Sequence, residues 1–177
     1  VLNSTIPVFA NHTNAMVRKA CAAFSATVIE HCEETLSESQ KILLETLLSL
    51  SNDSWELVSV FAKGELQRLK EKNLVPLEIM KTILKADLGV DSPTSHTYSS
   101  SFSEKNETRI LATIDVLGEN ETSLLLLSCT SIRRELVHAL AQGGSSKILR
   151  KIGAVANPKG FELFVNDVVT SISSFQD

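Results

Sequence analysis

Three thiols (Cys21, Cys32, Cys129) and four imidazoles (His12, His31, His96, His138) are the side chains of this sequence best suited to covalent or metal chemistry. Metal binding requires several such groups to converge on one point. His31-Cys32-Glu33 sets three of them side by side, but successive helical residues point about 100° apart and cannot share an ion. The histidines show no paired spacing, and neither a GxSxG nucleophile elbow nor an HExxH zinc motif occurs. Gly143-Gly-Ser-Ser-Lys147 lacks the GxxxxGK[ST] spacing of a phosphate loop and reads as a helix connector. A Cys–His nucleophile pair would meet only in the fold. The expectation is therefore no enzyme, no cofactor and no metal.

The most specific pattern is N-x-[ST], the acceptor of N-linked glycans. It occurs at Asn3, Asn11, Asn52, Asn106 and Asn120, five of the nine asparagines. The chain opens on Val1 with no Met and no signal peptide, as a processed or excised segment would. Together these point to a secreted, N-glycosylated protein. An odd cysteine count in such a protein leaves one thiol over. If Cys21 and Cys32 lie on one helix, their eleven-residue separation is about 16 Å, and a disulfide tolerates only about 7 Å between Cα atoms. An internal bridge must then use Cys129. Cys21, in a stripe with Val17, Phe24 and Val28, is the expected partner, leaving Cys32 free or linked to another chain. The other reading is three reduced thiols acting as small hydrophobes.

The elements that must position these residues are helical. Val17, Cys21, Phe24 and Val28 recur at three- and four-residue steps between Asn14 and His31. Thr35-Leu-Ser-Glu38 spells a capping box ahead of Ile42, Leu43, Leu44, Leu47 and Leu48. Asp53 or Ser54 can cap a helix carrying Trp55 to Leu69, in which Gly64 marks a kink or an end. Pro76 suits the first turn of a further helix closing at Gly89. Asp91 to Glu104 is Ser/Thr-rich and reads as a long loop, a strand at Thr97 to Phe102 being conceivable. Ile110 to Leu140 keeps helical steps, and Phe161 to Phe175 carries the clearest apolar face. No repeat of fixed period is visible. The expected fold is all-α: one domain over 1–177, an irregular bundle of five to seven amphipathic helices with a loop at about 91–104.

Two stretches carry a family resemblance. Pro7-Val-Phe-Ala-Asn-His-Thr-Asn-Ala-Met-Val-Arg-Lys-Ala-Cys21 resembles the lead and first helix of the N-terminal domain of spider-silk proteins, the spidroins. Asn157-Pro-Lys-Gly-Phe161, running on to Phe175, is similar to that domain's last helix. The resemblance implies a soluble five-helix domain that dimerises to store and assemble silk. It assigns no site residues here.

Hydrophobic residues make up 43% of the chain, enough to close a core without metal or a dense disulfide framework. A net charge of −4 disfavours nucleic acid, which calls for a basic surface. The longest apolar runs, such as Leu124 to Leu127, are too short to span a bilayer. Lys63 to Lys72, Arg133-Arg134 and Lys147 to Lys151 read as solvated faces. Two functions stay in contention. One is a secreted helical assembly module, a silk-like terminal domain that controls solubility and self-associates as a homodimer. The other is a secreted carrier holding a hydrophobic ligand, a fatty acid or retinoid, between helices.

Overall fold

Asn14 begins the first of the anticipated helices: its Oδ1 accepts a 2.8 Å hydrogen bond from the Met16 amide, an N-cap of the usual chemistry. The computed structural model describes residues 2–32, 37–88, 104–141 and 146–173. Among these residues there are nine α-helices and no strand. They are α1 Leu2–Ala10, α2 Ala15–His31, α3 Ser37–Leu50, α4 Glu56–Glu71, α5 Leu77–Leu88, α6 Glu104–Ser128, α7 Thr130–Ala141, α8 Ser146–Val155 and α9 Pro158–Ser173. The described residues are all-α. The Ser/Thr-rich stretch at about 91–104, the conceivable strand within it, and Gly89 and Gly143-Gly144 lie outside the described residues, apart from Glu104 at the start of α6.

The count exceeds five to seven for local reasons. α1 was hidden by Pro7, which sits inside it. A proline removes one helical hydrogen bond and reads as a breaker, yet a short solvent-edge helix tolerates it. Farther on, the stripe from Ile110 to Leu140 is divided at Cys129, and α6 is itself broken at Gly118 (φ 74°, ψ −168°), a conformation open essentially to glycine alone. Gly64 does the reverse of what was expected: α4 runs straight through it.

The chain divides into two compact units, Val1–Met80 and Lys81–Asp177. In the first, a turn at 11–14 joins α1 to α2, and a turn at 51–55 joins α3 to α4. α1 packs on α3, and α2 packs on both α3 and α4, so one helix pair stacks on the next. Leu43, Leu44, Leu47, Leu48, Leu66 and Leu69 are buried at its centre. Burying a leucine side chain contributes about 1.5–3 kcal/mol, so this cluster dominates the unit's stability.

In the second unit α6 packs on α7, α8 and α9, and α7 on α9. The Gly118 break lets the two halves of α6 serve different neighbours. Asp115, before it, pairs with Lys151 of α8, while Ser123, after it, accepts a 2.8 Å bond from the Asn157 amide at the head of α9. Gly160 of α9 lies so near α6 that an added Cβ would stand 3.4 Å from the Ser123 Cα. Of the face predicted for the last helix, Phe164 is fully buried and Phe161, Val165 and Val168 are half-buried. Val169 is 56% exposed, and the Ile172 side chain and Phe175 lie outside the described residues.

Candidate functional site

A groove opens between α1 and α2 of the first unit. Leu2, Thr5, Ile6 and Phe9 line one wall and Val17, Ala20, Cys21 and Phe24 the other, around a half-open cavity of about 340 Å³. Each wall repeats at helical steps over two turns. Phe9 and Phe24 at its mouth are each 46% exposed, and neighbouring Val8 and Met16 are 65% and 61% exposed. None of residues 1–17 is Asp, Glu, Lys or Arg. That run of uncharged residues was legible in the sequence and was not used.

α2 is consequently apolar on two sides. Ala22, Ser25, Ala26 and Ile29 are its fully buried residues, turned toward α3 and α4. At about 100° per residue, Val17, Ala20 and Phe24 fall on roughly the opposite side. The apolar spacing of Val17, Cys21, Phe24 and Val28 alone points to a core-facing stripe. The side facing α3 and α4 instead carries Ala22, Ser25, Ala26 and Ile29, while Val17, Cys21 and Phe24 of the stripe line the groove.

Buried and half-buried ion pairs hold the helices behind the groove. Arg18 forks onto Asp53, Nε to Oδ2 at 2.6 Å and Nη2 to Oδ1 at 2.8 Å, and its Nη1 donates to the carbonyls of His12 and Thr13. One guanidinium thus ties the α1–α2 turn to the α3–α4 turn. Asp53 also accepts the Trp55 amide at 2.8 Å, and the Arg18 bond holds its carboxyl below the usual range. Glu30 of α2 pairs with Lys72 and Arg68 at the end of α4, and these bonds draw its pKa down to about 2. Arg68 also reaches Glu65 at 2.7 Å, and Lys19 lies over the Phe61 ring at 5.1 Å. In the second unit Arg109 forks onto the fully buried Asp87 carboxylate, and Arg133 joins Asp167 of α9 to the Leu126 carbonyl of α6.

The expected Cys21–Cys129 bridge is not formed: all three cysteines are free thiols. Cys21 and Cys129 belong to different units, and each thiol has local partners. Cys21 is buried in the groove wall with its Sγ 3.8 Å from the Ile6 carbonyl, and burial pushes its pKa up despite Ser25. Cys129 sits at the head of α7, its carbonyl accepting from the Arg133 amide and its Sγ 3.5 Å from the Ser131 hydroxyl. Burial disfavours its thiolate, but Ser131, the Ile132 amide, Lys85 and Lys81 outweigh that and lower its pKa. Cys32 closes α2, half-exposed. Of the sequon asparagines, Asn11 and Asn52 lie in turns, while Asn3, Asn106 and Asn120 lie within helices. Asn106 Nδ2 is occupied, donating to the Asp87 carbonyl at 3.2 Å. Among the described residues no group of His, Cys, Asp and Glu could hold a metal ion, and no helix is long and apolar enough to cross a membrane.

The groove, its walls and the third helix behind them all fall in one stretch of sequence. Residues 1–54 match the family model described as the TTI1 N-terminal TPR domain. The TTI1 match covers just under a third of the chain and is to a helical repeat. No curated protein and no solved structure matches. The TTI1 match overturns the spidroin resemblance. Its first stretch is two helices and a turn, and its second is common capping chemistry: Asn157 Oδ1 accepts the Gly160 amide at 2.9 Å and Pro158 fills the first turn. With it fall the secreted localisation, the silk-like assembly and dimer reading, and the secreted ligand carrier. The sequons carried the secreted expectation that the TTI1 match overturns. The two helix pairs show no fixed period: α1 and α3 start 35 residues apart (Leu2, Ser37), α2 and α4 start 41 apart (Ala15, Glu56).

Proposed function

We propose that this chain is a TPR-type helical-repeat segment that works inside the cell as a protein-interaction scaffold and has no catalytic activity of its own. The observation that carries this reading is the helix pair α1–α2 stacked on α3–α4, with α1, α2 and α3 inside residues 1–54, the stretch that matches the TTI1 N-terminal TPR domain. Stacked helix pairs build extended surfaces whose business is binding. The uncharged groove and the acidic balance of −4 favour a protein partner over nucleic acid. Three unpaired thiols fit a reducing compartment.

The test is to express the tagged full chain in the cytosol and to recover it under native conditions. The expected result is a stoichiometric protein partner that remains through a high-salt wash, on a chain with unmodified asparagines. A chain recovered alone, or one with glycans at Asn11 or Asn52 when isolated from its natural source, ends the proposal.

A further inference from the structure

We propose that the α1–α2 groove receives one helix of a protein partner, and that the face entering it is uncharged. This deepens the scaffold reading and rests on it. The first argument is the layering of α2. A helix apolar on two sides belongs between two layers, and one of them is already supplied by α3 and α4. The face of α1–α2 away from α3 and α4 leaves Phe9, Phe24, Val8 and Met16 open.

The second argument is shape. Leu2 to Phe9 and Val17 to Phe24 form two ridges of equal length, each about 10 Å along the helix. Parallel ridges of that kind accept the side chains of a third helix spaced at i, i+3/i+4 and i+7. The third argument is charge. With no Asp, Glu, Lys or Arg among the eight residues that line the groove, a charge on the docking face would be desolvated with no lining counter-charge to meet it. The complement of this groove is therefore a neutral seam of apolar residues, with charges confined to the helix's outer side.

The experiment uses the purified full chain and two labelled synthetic peptides of about 15 residues, long enough to form helix on binding. Both carry the same Glu/Lys outer face. One has a Leu/Ala seam and the other has Lys at two seam positions. Fluorescence anisotropy is expected to show saturable binding of the neutral-seam peptide and at least about tenfold weaker binding of the other. Ala20→Arg and Phe24→Glu, each at an exposed groove position, should weaken the neutral peptide by a similar factor, while Val60→Glu on the exposed side of α4 should not. Thermal melts of all three variants identify any that misfolds, and the two groove variants back each other. Equal binding of both peptides, binding unaffected by Ala20→Arg, displacement by dodecanoate, or a concentration-dependent dimer abolished by Ala20→Arg each overturns the inference. A cellular partner still held by both groove variants would leave the scaffold reading standing and end this one.

Discussion

Gly64 occupies the interior of α4 with nothing within 4 Å of where its Cβ would stand. A helix-interior glycine costs about 0.5–1 kcal/mol relative to alanine, and here no contact opposes the exchange. Gly64→Ala is therefore expected to raise stability by about that amount in urea denaturation; a loss would show a demand on this position that the helix does not reveal. The thiols separate in the same manner. Burial raises the Cys21 pKa, whereas Ser131, the Ile132 amide and two lysines lower that of Cys129. Iodoacetamide at neutral pH should modify Cys129 well before Cys21, and mass spectrometry of digested protein reads the order directly. Modification of Cys21 first would contradict the burial of the groove wall.

At the scale of elements, the α2–α4 contact has a pH dependence with a definite sign. Glu30 has a folded pKa of about 2 against an ordinary 4.5, through Lys72 and Arg68. A depressed carboxylate stabilises the fold above its unfolded pKa, and that contribution is lost as pH falls through the folded value. The melting temperature should decline between pH 4.5 and 2. Glu30→Gln should melt lower at neutral pH and show a flatter decline in that window; a variant with the wild-type profile would refute the clamp. Two features of the second unit give larger effects. Phe164 of α9 is fully buried, so Phe164→Ala should cost about 3–5 kcal/mol. Gly118→Ala forces a side chain into a glycine-only conformation and should cost about 1–3 kcal/mol. Denaturant titration checks both, and a neutral Gly118→Ala would mean that α6 closes into one continuous helix.

At the scale of the whole molecule, what was legible was whatever depends on neighbours along the chain. Apolar residues at three- and four-residue steps made the helices legible, because helix periodicity is local. Capping chemistry located the turn before α4, where Asp53 accepts the Trp55 amide, but the N-cap is Trp55 and neither Asp53 nor Ser54, and Thr35 of the expected capping box lies outside the described residues. Beyond such short range the sequence was ambiguous, and Cys21 shows why. Its stripe with Val17 and Phe24 has the right spacing for a core, yet those residues line an open groove, while Ala22, Ser25 and Ala26 face α3 and α4. Hydrophobicity marks which side of a helix can be buried; it does not say against what. Small side chains that let helices approach closely carry a weak apolar signal and are overlooked. The same limit governs the pairing of thiols, the Arg18–Asp53 and Glu30–Arg68 ties across 35 and 38 residues, and the division into two units. Each depends on which distant surface is brought near, and only tertiary packing decides that.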